Sequence, residues 1–185
     1  METITQEKSL NFAENDTIYI HGEFDDSIMR HVIPKFDKMI EDQESKKDAY
    51  ITVNIDSRGG YTNVLKSMLA RFDDAKSKGI TIETFVTGEA ASCASLLAVS
   101  GSKGHRYINR DSEHLAHLGD AVFSSRTPLQ LKRKADSVER HFNFVLNTYK
   151  KNCKIPNLEN ELKDDCFIIH GDNLIKWGLA DKFIK

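Results

Sequence analysis

The sequence has no long hydrophobic run and little cysteine. No apolar stretch reaches the roughly 18 residues that a membrane span needs, and residues 1–8 lack the basic and apolar regions of a secretory signal. The 3 cysteines form neither a CxxC pair nor an even disulfide set. We therefore expect an intracellular protein that carries no metal or other cofactor.

The sequence also has no large excess of positive or negative charge. The formal net charge is −2, which gives no reason to expect a nucleic acid or a membrane as partner. Neither the Walker spacing nor GxGxxG is present, so a phosphate-binding loop is not expected. With 39% hydrophobic and 29% charged residues, the 185-residue chain has the composition of a single globular domain with a proper core.

Three strand-like runs alternate with helical patterns in the first half of the chain. The runs are 17–22, 50–55 and 80–86, and they are rich in β-branched and aromatic residues. This order predicts an α/β domain with a mainly parallel sheet, whose ligand sites lie at the carboxyl ends of its strands. Residues 1–16 are polar and are predicted to be an N-terminal arm, so that 17–185 form the domain.

Two strand ends carry residues of chemical interest. After the third run, a glycine turn at Gly88 and a small-residue helix place Ser92 at a helix N-terminus, where unpaired N–H groups favour negative charge. This position suits a nucleophilic hydroxyl, although a serine can also simply cap a closely packed helix. After the second run, Gly59-Gly60 indicates either a simple turn or backbone that is closely approached by another group.

A long helix is predicted from about Pro128 to Asn152. Its apolar residues recur at spacings of four and three, which makes a narrow seam for a partner helix. The seam packs either on its own domain or in a subunit interface. It consists of Leu131, Ala135, Val138, Phe142, Val145 and Tyr149.

Five short motifs, in order, together resemble the ClpP family of serine peptidases. The resemblance spans roughly residues 17 to 185, and His117 follows Ser92 by 25 positions, as expected in the family, whereas His114 comes three residues too early. The motifs are Ser57-Arg58-Gly59-Gly60, Gly88 to Ala94, Leu115-Ala116-His117, Asp165-Cys166-Phe167 and Trp177-Gly178-Leu179-Ala180-Asp181.

The resemblance implies a ClpP/crotonase-type fold, with repeated ββα units and a protruding long helix called the handle. It also implies a catalytic triad of Ser92, His117 and Asp165, with Asp164 as the rival of Asp165. The oxyanion hole would consist of the backbone N–H groups of Gly60 and Cys93.

By the same resemblance, the chain would be a homo-oligomeric ring subunit that cleaves peptides or unfolded proteins inside a chamber. Substrate would lie extended along Leu118 to Phe123 by strand addition. The region that meets an AAA+ unfoldase in the family is shortened here, which weakens the expectation of that partner.

Three departures from the family pattern leave other functions open. Arg58 replaces a proline, Cys93 replaces a methionine, and the segment between Phe167 and Gly178 is one residue longer than usual. The Ala-Ser-Cys-Ala-Ser stretch is also similar to the ClpP-related head-maturation proteases of tailed phages. The resemblance therefore implies a cytoplasmic protein of a bacterium or of a phage-infected host cell. The alternatives are such a head-maturation protease, a catalytically silent ring subunit, or a crotonase that acts on acyl-CoA thioesters.

Overall fold

The computed structural model describes residues 10–119, 127–164 and 166–184. Within these ranges, eight strands form one mixed sheet that helices cover. The strands are β1 (Asn11–Glu14), β2 (Thr17–Ile20), β3 (Tyr50–Ser57), β4 (Thr81–Ala91), β5 (Arg106–Ile108), β6 (Glu113–Ala116), β7 (Phe167–His170) and β8 (Lys182–Phe183). The helices are α1 (Ile33–Gln43), which a π-helical turn (Ile28–Val32) precedes, α2 (Thr62–Ser77), α3 (Cys93–Val99), α4 (Pro128–Asn152), α5 (Leu158–Asp164) and α6 (Asn173–Lys176).

The centre of the sheet is parallel, as the alternation of strands and helices predicts. β2 pairs with β3, β3 with β4, and β4 with β5 in parallel. Ile51, Val53 and Ile55 of β3 are completely buried, because β-branched side chains pack well on a pleated surface that helices cover. The antiparallel pairs β1–β2 and β6–β7 make the sheet mixed.

The described end of the predicted N-terminal arm is a strand of the sheet. This strand is β1, whose residues Asn11 to Glu14 pair with β2 at the edge of the sheet. Ala13 and Asn11 are buried, and the Asn11 side chain donates to the Glu23 carbonyl and accepts from the Gly22 N–H. These long-range contacts stabilise a strand that its polar composition does not predict.

β4 divides the sheet between two partners. Its first half pairs with β5 through Thr84–Val86, and its second half pairs with β6 through Glu89–Ala91. The register against β3 shifts between Ile55 and Ser57, where β4 holds extra residues. The glycine turn predicted at Gly88 is therefore wrong: the strand continues through Gly88, and the chain turns only at Ser92.

The long helix α4 has the bounds predicted from its seam, and only its second half packs on the domain. Val145 and Tyr149 are buried in the core, whereas Leu131 and Val138 are 59% and 41% exposed. The helix thus projects from the body with apolar residues on its N-terminal half. Within the described ranges, no helix is both long and apolar enough to cross a bilayer.

A buried ion pair joins β5 to the end of the chain. The Arg106 guanidinium donates to both carboxylate oxygens of Asp181, at 2.9 and 2.6 Å. The N–H groups of Gly104 and Arg106 also donate to that carboxylate. Burial opposes the charge on Asp181, but the hydrogen bonds and the charge of Arg106 outweigh it, so the pKa of Asp181 is lowered.

We expect Asp181→Asn to lower the free energy of unfolding by about 2 to 3 kcal/mol near pH 7, because it leaves the buried guanidinium without a charged partner. A carboxyl group with a lowered folded-state pKa stabilises the fold above its unfolded pKa, and this stabilisation is lost as the pH falls through the folded pKa. The loss of unfolding free energy caused by Asp181→Asn should therefore become smaller at acidic pH. Urea unfolding at several pH values measures it.

The matched control for this prediction is Asp172→Asn. Asp172 pairs with Arg110 at 3.5 Å, but its side chain is 90% exposed, and exposed pairs contribute little. We expect a cost below about 0.5 kcal/mol. Equal costs for the two variants, or a cost at Asp181 that does not depend on pH, would contradict the assignment.

Candidate active site

Ser92 occupies a sharp turn between β4 and α3. Its φ of 54° and ψ of −121° lie outside the regions that non-glycine residues prefer. Such a conformation costs about 1 to 3 kcal/mol and persists only where surrounding contacts impose it. The Ser92 N–H donates to the Leu115 carbonyl of β6 at 2.8 Å, and the Ser92 carbonyl accepts from Leu96 N–H at 3.2 Å. The hydroxyl makes no capping hydrogen bond, so Ser92 does not act as an ordinary helix cap.

The Gly59-Gly60 loop after β3 lies directly against this turn. Gly59 has a φ of +90°, and a Cβ there would lie 2.7 Å from the Ala91 carbonyl oxygen, 2.8 Å from the Cys93 nitrogen and 2.9 Å from the Ser92 Cβ. Ser57 holds the loop, since its hydroxyl donates to the Gly22 carbonyl and accepts from the Gly59 N–H. Of the two readings of this glycine pair, the structure favours close approach over a simple turn.

Two backbone N–H groups of this region are available to a ligand. Gly60 and Cys93 both line the cleft beside Ser92. Among the described residues, neither of these backbone N–H groups donates a hydrogen bond to the backbone of another residue. Unlike the Cys93 N–H, the Cys93 thiol has a partner in another residue, because it donates a hydrogen bond to the Gly60 carbonyl at 3.1 Å. Burial raises the pKa of this thiol despite its hydrogen bonds, which keeps it protonated and poorly nucleophilic at neutral pH.

His117 follows β6 and lines the same cleft as Ser92. The two residues come together because Ala91 pairs with Leu115 across β4 and β6, at the carboxyl ends of parallel neighbours. The Ser92 hydroxyl interacts with the neighbouring Cys93 thiol, and no hydrogen bond between this hydroxyl and the His117 imidazole is found among the described residues. The cleft has a volume of about 760 Å³, and α4 forms its opposite wall with Val138, Phe142 and Val145 among others.

The acidic member of the predicted triad, Asp165, lies outside the described residues. The chain on either side of it is placed: α5 ends at Asp164, and β7 begins at Phe167, which pairs with Ala116, the neighbour of His117. Most of the predicted substrate-pairing segment, Leu118 to Phe123, also lies outside the described residues. Its first residue, Leu118, accepts a hydrogen bond from the His141 imidazole of α4 through its carbonyl at 2.8 Å.

The histidine within β6, His114, does not line the cleft. It is completely buried, and its Nδ1 accepts from the Ser95 hydroxyl of α3 at 2.8 Å, while the Tyr149 hydroxyl of α4 donates to Ser95 at 2.7 Å. Burial and the nearby Arg106 charge lower the pKa of His114 to about 3, so it stays neutral. The structure therefore places His117 in the cleft lining and His114 in the interior.

The hydrogen-bonded network of Ser95, His114 and Tyr149 is what sequence reasoning missed. It joins three elements around the nucleophile turn, namely α3, β6 and α4. A signal was present for Ser95 and His114, since each is a polar residue at a position where its helix or strand pattern calls for an apolar one. Their separation by 19 and 54 residues hid the network. Among the described residues, no group of three potential ligands could hold a metal ion.

The comparisons with known proteins agree with one another. The family model for Clp protease matches residues 3–185. The chain is 33% identical to the ATP-dependent Clp protease proteolytic subunit 4 of Rhodococcus jostii, over 90% of this chain and 83% of that protein. It is 34% identical to the ATP-dependent Clp protease proteolytic subunit of Ligilactobacillus salivarius, over 91% of this chain and 82% of that protein.

A solved structure is similar in its fold. The crystal structure of a peptidase from Plasmodium falciparum superposes with a TM-score of 0.70, at 17% identity, over 92% of this chain and 96% of that chain. At this identity the likeness concerns the fold alone, and it confirms the α/β architecture predicted from the sequence.

Proposed function

Since the chain belongs to the Clp protease family, we propose that it is a serine endopeptidase with Ser92, His117 and Asp165 as its triad. The observation that carries the proposal is the strained turn at Ser92, which lies against the Gly59-Gly60 loop and shares one cleft with His117. Stored backbone strain of this kind clusters at active sites. The three elements come from separate parts of the chain and converge on one hydroxyl group.

In the proposed reaction, the Ser92 hydroxyl attacks the carbonyl carbon of the scissile peptide bond. His117 accepts the hydroxyl proton and then gives it to the leaving amine, which departs as the acyl-enzyme forms. A water molecule then attacks the acyl-enzyme with His117 again as the base, and Ser92 leaves with its proton restored. Asp165 orients His117 and stabilises the imidazolium that forms in both steps.

The oxyanion of each tetrahedral intermediate is held by the N–H groups of Gly60 and Cys93. Both line the cleft, and neither donates to the backbone of another described residue. The Ser92 N–H is not available for this purpose because it donates to Leu115. Preorganised donors of this kind contribute roughly 100 to 1000-fold in rate each.

We propose further that the chain acts as a subunit of a homo-oligomeric ring that encloses the clefts and takes unfolded protein as substrate. The N-terminal half of α4 supports this assembly, because Leu129, Leu131 and Val138 are exposed on one protomer and such residues favour an interface. Docking of an AAA+ unfoldase and a role in phage head maturation stay predictions of the sequence motifs.

A fluorophosphonate probe, applied to the native assembly and read by intact mass, tests the proposed function. We expect one probe adduct per chain in the wild type and none in Ser92→Ala, because only an activated serine attacks the phosphorus. Adducts that persist in Ser92→Ala would contradict the assignment of the nucleophile. A folded, oligomeric wild type without any adduct would contradict the peptidase function and favour the silent ring subunit.

A further inference from the structure

The loop that carries Gly60 is held on one side by the backbone of Phe24. The Phe24 N–H donates to the Gly59 carbonyl at 2.8 Å, and the Phe24 carbonyl accepts from the Tyr61 N–H at 2.7 Å. The carbonyl and the N–H of a trans peptide unit point in opposite directions, so the first bond directs the Gly60 N–H away from Phe24. This N–H is one of the two donors proposed above for the oxyanion.

The next peptide unit of the loop is held at both of its ends. Its N–H, which belongs to Tyr61, is bound to Phe24, and its carbonyl, which belongs to Gly60, accepts from the Cys93 thiol at 3.1 Å. Since the two groups of a trans peptide unit point apart, Phe24 and Cys93 hold the loop from opposite sides. We call this arrangement of Phe24, Gly60 and Cys93 the loop clamp.

The loop clamp connects the two proposed oxyanion donors. Cys93 contributes one N–H through its backbone, and its thiol holds Gly60, which contributes the other. The two segments are already in close contact, because a Cβ on Gly59 would lie 2.8 Å from the Cys93 nitrogen. The thiol adds a directional bond to this contact, so the position of Gly60 relative to Cys93 does not depend on packing alone.

The thiol has the protonation state that this bond needs. Cys93 is 4% exposed, and burial raises the pKa of its thiol, so the proton stays on sulfur at neutral pH and can be donated. The hydroxyl groups of Thr62 and Ser92 also interact with the thiol, which places sulfur between the start of α2 and the nucleophile turn. A buried cysteine can also act simply as a small apolar residue, and the two roles predict different results on substitution.

We propose that the Cys93 thiol is a positioning group for the oxyanion hole. By holding the Gly60 carbonyl it fixes the orientation of the loop, so that the N–H groups of Gly60 and Cys93 are aimed at one point before substrate binds. Preorganised donors stabilise a transition state better than donors that must first reorient. The proposal rests on the peptidase function proposed above and adds a side chain that acts through the two N–H groups.

Three variants test this role on the fluorogenic peptide acetyl-Ala-Leu-Leu-aminomethylcoumarin. Cys93→Ala removes the donor, Cys93→Ser keeps a donor of similar size, and Cys153→Ala removes a thiol that is also buried but lies outside the cleft. We expect kcat to fall about 10-fold in Cys93→Ala, which is less than the loss of a whole donor because both N–H groups remain. Cys93→Ser should keep at least about a third of the wild-type kcat, and Cys153→Ala should match the wild type.

A boronic acid with the same peptide sequence supplies a second measurement. Its tetrahedral adduct with Ser92 places an oxygen in the oxyanion hole, so its inhibition constant reports on the alignment of the two donors. In Cys93→Ala we expect this constant to rise about 10-fold, in step with the loss of kcat, while KM stays within about twofold of the wild type. A substitution that affects only the stability of the fold would leave the ratio of this constant to KM unchanged.

Two kinds of failure are distinguishable. If Cys93→Ala keeps the wild-type kcat and inhibition constant, or if Cys93→Ser is as slow as Cys93→Ala, the positioning role of the thiol is wrong. In both cases, cleavage of the peptide by the wild type and labelling of Ser92 by the fluorophosphonate leave the peptidase function standing. If the wild type neither cleaves the peptide nor reacts with the fluorophosphonate, the peptidase function itself is wrong and the role of the thiol falls with it.

Discussion

His117→Ala is expected to lower kcat for peptide hydrolysis by about 10⁴-fold or more, because the Ser92 hydroxyl loses the base that takes its proton. KM should change little, since the imidazole acts on the proton and binds little of the substrate. Steady-state kinetics on the assembled protein measure both constants. Catalysis that remains in the variant would come from the oxyanion hole and from binding.

Two comparisons make the His117 result specific. His31→Ala removes an exposed histidine of the π-helical turn and should leave kcat unchanged. The double variant Ser92→Ala with His117→Ala should be no slower than Ser92→Ala alone, because residues that act as one unit are not additive. A His117→Ala rate within tenfold of the wild type would refute the role of His117 as base.

Gly59→Ala is expected to lower kcat/KM by about 10³-fold without removing any catalytic side chain. The new methyl group would lie within 3 Å of the Ala91 carbonyl, the Cys93 nitrogen and the Ser92 Cβ. These are backbone or near-backbone atoms that cannot rotate away, so the loop must withdraw from the nucleophile turn. Withdrawal moves the Gly60 N–H away from the oxyanion position and costs at least the contribution of one donor.

Gly104→Ala is the matched control for this prediction. Gly104 has the same φ of +90°, but a Cβ there would meet no atom within 4 Å. Both variants should lose about 1 to 2 kcal/mol of stability from backbone strain. Gly59→Ala should lose more than this because of its clash, and only Gly59→Ala should lose activity. Thermal unfolding and kinetics on the two variants separate these effects. Equal activities would show that the close approach of the loop has no catalytic consequence.

The parts of the site that sequence predicts best are those fixed by local pattern. The strand before Ser92 and the small-residue helix after it depend on short-range periodicity, whereas the 25-position step to His117 was an implication of the family resemblance. The conformation of the turn at Ser92 does not depend on local pattern. Serine has no intrinsic preference for a φ of 54°, and only the contacts with Leu115 and with the Gly59 loop make the conformation stable. Strain imposed by tertiary contacts leaves no mark in a propensity scale.

In the fold too, features set by local sequence are predictable and features set by tertiary contacts are not. The bounds of α4 follow from Thr127 and Pro128 at its start and from a seam of apolar residues, and both signals are local. β1 could not be predicted, because Asn11 and Glu14 are poor strand formers and pairing with β2 overrides their preference. The continuation of β4 past Gly88 was missed for a similar reason, since a new partner strand, β6, takes over from β5 there.

The pairing of β4 with β6 bears on how this chain tolerates insertions. The register Ala91 to Leu115 and the bond from the Ser92 N–H to the Leu115 carbonyl fix the nucleophile and the base relative to one another. The number of residues between Ser92 and His117 does not fix their relative position. The exposed bend at Arg110 and Asp111 between β5 and β6 can accept additional residues without shifting either group. An insertion of one residue within β6 would instead turn every following side chain to the opposite face. Evolution of this architecture is therefore free to lengthen that bend while the four residues of β6 are held to an exact count.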